Sequence, residues 1–427
     1  MTIAIIGGGA AGYFLAVALK ELDKSHSVTI YESGSKPLRK VKVSGGGRCN
    51  ISNTFADVKD LKDVYPRGHK LLKRLFKAFS PQDAQQWWEE HGVRLVAQDD
   101  ECIFPVSQDS QTVIDTLTIL CKRYGVKTVF NTRIDSIAEL LGRENNGSES
   151  PSTCRARISE PHSAATRYDA VVLATGGISR HSAIYDELLA LGHEMSEPIP
   201  SLFTFSIEDE SLRSLTGLVV ESAEMKIPGT KFRSIGALLI THWGVSGPAT
   251  LKLSSHAARH LADCDYCSPL SINWLGCSFA EAEASLSQFI SANRKKEITT
   301  CPFPQLQNRL WQHLLRRCGI IPAQPILHSA FCILHYHSFS RKQINRLLET
   351  LTNDTYTISS RYKHKDEFVT CGGVSLSSVD KNTLESKHLP GLYFTGEVLD
   401  IDGITGGFNF QACWTTAKTV CNAIGKQ

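Results

Sequence analysis

Gly7, Gly9 and Gly12 form a G-x-G-x-x-G run that follows the apolar stretch TIAII (2–6) and opens a helical pattern over residues 10–22. Gly7 permits a tight turn, Gly9 lets backbone N–H groups approach a diphosphate, and Gly12 lets the helix pack closely on the strand. The positive end of the helix then favours an anion. Glu32 lies 20 residues past Gly12, at the end of a second strand-like run, SVTIY (27–31). A carboxylate there accepts hydrogen bonds from ribose hydroxyls and repels a 2′-phosphate. Alone, the three glycines also suit a glycine-tolerant helix start. With strand, helix and acid in register they point to an adenine dinucleotide, without separating FAD from NAD.

Residues 33–53, SGSKPLRKVKVSGGGRCNISN, help to separate the two. An NAD domain would continue into its crossover helix here, and this stretch does not look like one. Arg39, Lys40 and Arg48 put cations beside Gly45, Gly46 and Gly47, whose N–H groups are unshielded. Such a loop suits the diphosphate and flat flavin edge of a longer cofactor; a surface loop with incidental glycines is the plainer alternative. Ala174, Thr175, Gly176 and Gly177 end the buried run YDAVVL (168–173) in a further glycine turn. Near the carboxyl terminus Gly396 and Glu397 follow LYFT (392–395), and Gly403, Gly406, Gly407 and Asn409 precede a helix. A last strand, glycine turn and helix N-terminus could hold the ribityl chain and the flavin pyrimidine edge, where the dipole stabilises negative charge on reduced flavin. Glu397 has a bland alternative as a turn carboxylate.

The elements that must position these residues read as a βαβ start over 2–31. A helix over 80–92 has Ser80 as cap and Pro81 first, and a second covers 110–125. Residues 126–140 read as alternating strands, and the polar stretch 143–166 as hairpin loops around a strand-like CRARIS. The texture changes near 193–200. β-type runs follow to about 277, then amphipathic helices to 352. In these, Leu306, Leu310 and Leu314, and Ile344, Leu347, Leu348 and Leu351, mark core-facing stripes. After about 357 the chain turns β and glycine-rich, ending in a helix near 407–425.

The chain has 427 residues, 42% hydrophobic and 21% charged, with a formal net charge of +3. That length predicts two or three domains, and the near-neutral charge gives no field for nucleic acid or acidic lipid. RKK (294–296) reads as a solvated helix end. Thirteen scattered cysteines, an odd number, argue for a reducing cytoplasm rather than a disulfide framework. Cys264 and Cys267 have C-x-x-C spacing but no second pair or nearby histidine to complete a zinc site. The uncharged run 3–19 lacks a basic flank and is interrupted by glycines, so it is neither signal nor membrane span.

SGGGRCNISN, THWGVSGPATL and the stretch from TCGGVSL to LYFTGEVLDIDGITGGFNFQ resemble the BaiN-like flavoproteins, also called aminoacetone-oxidase-like, in family order over nearly the whole chain. The resemblance implies an α/β architecture. A Rossmann-like, glutathione-reductase-like FAD-binding domain is split in sequence (1–195 and 353–427). A β-barrel-like insertion covers 196–277 and a small helical one 278–352. It implies FAD contacts at Gly7, Gly9, Ala10, Ala11, Gly12, Glu32, Arg39 and Lys40. It adds the loop Ser44, Gly45, Gly46, Gly47, Arg48, Cys49 and Asn50, then Gly396 and Glu397, and the turn Gly403, Gly406, Gly407, Phe408 and Asn409. Ile134 matches the position whose backbone meets the adenine.

No second G-x-G-x-x-G occurs, so a dedicated NAD(P)H domain is not supported; NAD(P)H would visit the flavin transiently, or oxygen would reoxidise it. His242, in THWGVSGP, is the candidate general acid or substrate contact, with a hydrogen-bonded loop histidine as the plainer reading. Cys49 reads as packing, and His328, His335 and His337 lack an acidic neighbour for a metal. The expectation is a cytoplasmic FAD-dependent oxidoreductase acting on a small molecule without nucleic-acid or membrane partners. Its chemistry is NAD(P)H-driven enone reduction or oxidation of a small amine by O2. A flavin-binding regulatory or RNA-associated module without turnover is the alternative of another class.

Overall fold

The computed structural model describes residues 1–142, 167–322, 334–361 and 369–426. The chain divides into two compact units, residues 1–200 with 368–427, and residues 201–367.

In the first unit, short runs form a five-stranded parallel sheet whose central strands Thr2–Ile6 and Ala170–Leu173 are apolar and almost wholly buried. Its order is Leu392–Phe394, Ala170–Leu173, Thr2–Ile6, Ser27–Tyr31, Lys127–Val129. The carboxyl-terminal return joins one edge by pairing Tyr393 with Val172. The helix Ala10–Leu22 is buried continuously from Ala11 to Leu19. Phe14, on this helix, packs on Trp87 (ring centroids 4.5 Å apart) and on Trp414 of the carboxyl-terminal helix Phe408–Ile424 (5.2 Å). The helix Pro81–Glu90 is capped by Ser80 with Pro81 first, as the sequence predicts, and the structure adds a reciprocal bond between Ser80 and Asp83.

Residues 126–140 differ from the expected alternating strands: pairing covers only Lys127–Val129. Asn131 then turns the chain (φ 52°), and Ser136 caps a helix at Ile137–Leu140. The Glu187 carboxylate accepts from the N–H groups of Ile137 (2.7 Å) and Ala138 (3.0 Å), satisfying a helix start that local alternation could not reveal. The CRARIS strand lies outside the described residues.

The second unit holds a seven-stranded antiparallel sheet. Its order is Asp354–Ile358, Ser268–Asn273, Val219–Lys226, Arg233–Thr241, Gly244–Ser246, Phe205–Ser206, Ser360–Arg361. The two edge strands are separated in the chain by Ser359 alone, so the sheet must curl to bring its edges together, which gives it a barrel-like character. Met225, Leu238 and Ile272 of the sheet share one core with Leu286, Leu310 and Leu347 of the helices. The sheet and the helical stretch expected as separate insertions are therefore one unit. The return to the first unit falls at 368 rather than 353, because Tyr356 pairs with Leu270 and Arg361 with Phe205. Among the described residues no helix is long and apolar enough to cross a membrane.

At the far end of the first helix, Glu21 accepts from Trp87 Nε1 (3.1 Å) and pairs with His91 Nε2 (2.6 Å). Burial pushes the His91 ring down, but the bonds to Glu21 and to the Trp87 carbonyl, with the charges of Glu21 and Glu90, together outweigh it and the net direction is up. Burial pushes Glu21 up, and its bonds from His91 and Trp87 carry it net down. The raised imidazole stabilises the fold below its ordinary value near 6.5 and loses that contribution as pH rises through the folded value. The lowered carboxyl contributes above about 4.3 and loses it as pH falls. The pair therefore acts most strongly between about pH 4.3 and 6.5. His91→Gln is expected to cost about 1–2 kcal/mol near pH 5.5 and markedly less at pH 9, read from thermal melts of both proteins at both pH values.

Candidate functional site

The carboxyl ends of all five parallel strands empty into one cleft of about 460 Å³ within the first unit, the place where open parallel sheets take ligands. Gly7–Ala11 follow Ile6, and Glu32 follows Tyr31. Thr132–Ile134 come shortly after Val129. Ala174–Gly177 follow Leu173, and Thr395 and Glu397 follow Phe394.

The glycines differ in what they make possible. Gly7 has φ 116°, and a Cβ there would sit 2.3 Å from the Ala174 carbonyl oxygen. A Cβ on Gly12 would sit 2.1 Å from the Gly7 carbonyl oxygen. A Cβ on Gly9 would meet no protein atom within 4 Å. Gly9 begins the first helix, no side chain caps it, and no acid stands in its first turn. The helix end therefore presents N–H groups and positive potential to the cleft, which suits a diphosphate.

Glu32 is fixed by its own backbone surroundings. Gly8 N donates to its Oε2 (2.8 Å) and Gly34 N to its Oε1 (2.6 Å). Each oxygen keeps a lone pair for a ribose hydroxyl. Along the cleft, Lys40 Nζ reaches both Glu397 oxygens at 2.8 Å, and Thr370 N donates to Glu397 Oε1 at 2.8 Å. Glu397 also lies over the glycine turn: a Cβ on Gly176 would be 3.5 Å from its Oε2, and one on Gly177 3.2 Å from its Oε1. It is thus more than a turn carboxylate. Phe410 and Cys413 of the carboxyl-terminal helix complete this end. Burial, with Glu397 adding to it, pushes the Cys413 thiol up to about 12.

Gly7, Gly9, Ala10, Ala11, Glu32, Arg39, Lys40, Ile134, the Ala174–Gly177 turn and Glu397 all line the cleft. Gly12 supports it from behind, and Gly396 packs against Ala11 and Cys413. Residues 44–50 and the turn 403–409 do not line it. They meet each other instead: a Cβ on Gly407 would sit 2.1 Å from the Ser52 carbonyl oxygen and 2.7 Å from Asn50 Oδ1. Asn409 folds back on Gly403, accepting from its N–H at 2.8 Å and donating to its carbonyl at 2.9 Å, at the start of the helix that Phe408 opens. Gly45, Gly46 and Gly47 are all left-handed (φ 55°, 69° and 87°), which explains the glycine run. Arg48 lies 4.3 Å above the Phe104 ring.

Gly8, inside the Gly7–Gly12 stretch that the resemblance implies, also lines the cleft. Sequence reasoning does not mark Leu38, Thr132, Phe410 or Cys413, which line it too. Leu38 turns left-handed (φ 56°) to donate its N–H to the Gly8 carbonyl at 2.9 Å, which no local pattern announces. Cys49 is fully buried with its thiol pushed up to about 12, which fits packing. His242 stands exposed on the turn between two strands of the second unit, its ring 4.3 Å from that of Trp243. The rings of His335 and His337 stack 5.5 Å apart, and His328 lies outside the described residues. Among the described residues no group of three His, Cys, Asp or Glu side chains could hold a metal ion.

The profile of the HI0933-like protein Rossmann domain matches residues 1–423. The chain belongs to the HI0933-like family. The chain is similar to a ribosomal RNA dihydrouridine synthase of Escherichia coli, 28% identical over 97% of this chain and 95% of that one. One of the same name from Haemophilus influenzae is 26% identical over 99% and 98%. A 3-dehydro-bile acid delta(4,6)-reductase of Clostridium scindens is 25% identical over 100% and 99%. The resemblance to BaiN-like flavoproteins agrees with this family. This HI0933-like protein is an FAD-dependent oxidoreductase with a Rossmann-like α/β fold. Its cleft fits that cofactor, since the space left open at Gly9 and the close crossing at Gly7 make a cradle that a Cβ would close.

Two substitutions separate folding from binding. Gly7→Ala is expected to destabilise the protein itself, with a lower melting temperature and little retained flavin. Gly9→Ala meets no protein atom and is expected to melt as the native protein does, while FAD affinity drops at least tenfold. Melting curves and FAD titration of both variants check the contrast.

Proposed function

We propose that this chain uses FAD to reduce a carbon–carbon double bond conjugated to a carbonyl. The observation that carries the reading is a common chemistry in two reaction names, dihydrouridine synthase and 3-dehydro-bile acid delta(4,6)-reductase, borne by relatives that cover nearly the whole chain. Uridine and an unsaturated 3-oxo steroid both offer an alkene polarised by a neighbouring carbonyl. Hydride adds at the β-carbon and a proton at the α-carbon.

In this reading Ile134 meets the adenine, Glu32 the adenosine ribose, and the Gly9–Ala11 end of the first helix the diphosphate. Lys40 and Glu397 flank the ribityl chain, and the start of the carboxyl-terminal helix takes the flavin. Bound FAD, once reduced by NAD(P)H, supplies the hydride. Each of these residues would orient or neutralise.

The substrate class we assign first is a uracil ring in ribosomal RNA, named for two of these relatives. Charge partition supports it. Residues 201–367 hold 18 Lys and Arg against 14 Asp and Glu, whereas the rest of the chain holds 28 against 29. The near-neutral total therefore conceals a basic unit, which weakens the sequence argument against RNA. A small unsaturated ketone acid is the second reading, favoured by the bile-acid reductase.

Anaerobic NADPH or NADH is expected to bleach the flavin. Unmodified ribosomal RNA, or a 3-oxo-Δ4,6 steroid acid, is then expected to restore its colour with stoichiometric loss of the alkene. Peroxide formation with small amines, and no reoxidation by either alkene, would overturn the reading in favour of an oxidase.

A further inference from the structure

The turn that leads into the carboxyl-terminal helix is held from two sides. On one, Asn53 Nδ2 donates to the Gly406 carbonyl at 3.1 Å. With its amide oriented to satisfy every partner, Asn50 accepts from Gly407 N at 3.2 Å and donates to Ser52 O at 2.8 Å. On the other, the segment 64–68 follows the turn almost residue by residue. The Val64 carbonyl accepts from Ile404 N at 2.9 Å, and Tyr65 OH donates to the Phe408 carbonyl at 2.8 Å. Gly68 is left-handed (φ 78°), and a Cβ there would sit 2.6 Å from Ile401 Cγ1. Between these contacts Arg67 and Asp402 form an antiparallel backbone bridge. Their side chains meet at two points, Nε to Oδ1 and Nη2 to Oδ2.

The Asp402 side chain is 0% exposed and that of Arg67 14%. A carboxylate at that depth is tolerated when a cation meets it in a forked geometry, and losing that cation is strongly unfavourable. Burial opposes the Arg67 charge, yet Asp402, with Cys371 and Asp400 adding to it, holds the guanidinium above its ordinary value. Asp402 stands immediately before Gly403, and the turn it anchors sets where the helix Phe408–Ile424 begins. The first turns of that helix deliver Phe410 and Cys413 to the cleft.

We propose that Arg67 is a positioning residue: by neutralising Asp402 it fixes the 402–407 turn, and with it the start of the carboxyl-terminal helix, for the flavin half of FAD. The proposal rests on the cofactor orientation given above and not on the identity of the substrate. Its test reads FAD binding, so its failure and a failure of the alkene-reductase reading are distinguishable.

Apoprotein of the full chain is titrated with FAD by flavin fluorescence, and the visible circular dichroism of the bound flavin and the melting temperature of the apoprotein are recorded. Arg67→Met is expected to raise the Kd for FAD at least tenfold and alter the flavin dichroism. The double variant Arg67→Met/Asp402→Asn, which removes both charges, is expected to return the Kd to within about threefold of the native value. A Kd for Arg67→Met within twofold of native, or no recovery in the double variant, overturns the proposal. So does a lowered melting temperature with Kd and dichroism unchanged, which would mark a role in folding alone. Should Arg67→Met fail to fold, Arg67→Lys carries the test, since it keeps the charge and loses the fork. A three- to tenfold rise in Kd then supports the proposal, and a Kd within twofold of native overturns it.

Discussion

Two parallel strands end so close together that no side chain fits between them. The backbone of Gly7 passes the carbonyl of Ala174 where a Cβ would lie only 2.3 Å away, and Gly12 closes in on Gly7 from the other side. This crossing lets the first helix start directly at the strand end and keeps its N-terminus bare. Had either position carried a side chain, the helix would stand off from the sheet and its free N–H groups would no longer border the cleft. The other four strand ends then each add a stretch of wall to the cleft, among them Glu32 and Glu397, which pairs with Lys40.

What the sequence makes legible is what is contiguous. The strand, glycine turn, helix and Glu32 lie within the first 32 residues and obey a fixed spacing, so their types and order suffice. The Ala174–Gly177 turn is readable for the same reason. The Lys40–Glu397 contact joins residues 357 apart, and Arg67 meets Asp402 across 335. No local pattern marks those partners. The second unit was harder still. Its edge strands 354–358 and 360–361 read as part of the carboxyl-terminal return until their antiparallel partners are known. Residues 45–50 give a mixed result. Their glycines do mark left-handed backbone, but the loop reaches the helix start at Gly407 rather than the cleft wall.

Burial raises the thiols of Cys413, which lines the cleft, and of Cys49, in the 44–50 loop that does not. Cys49 and Cys413 are both pushed up to about 12, so neither offers a thiolate at neutral pH. The groups that face a bound cofactor include backbone dipoles, the Glu32 carboxylate, Arg39 and the Lys40–Glu397 pair. Such a site orients and stabilises rather than reacts, which suits a family in which the flavin carries the electrons.

The central claim is that one FAD lies along this cleft with its adenosine diphosphate half between Glu32 and the first helix. Calorimetric titration of the apoprotein with FAD, repeated in the presence of ADP, tests it most directly. The account requires one FAD per chain and competition by ADP, which should occupy the adenosine and diphosphate positions alone. Failure to take up FAD, or FAD binding that saturating ADP leaves unchanged, would contradict it.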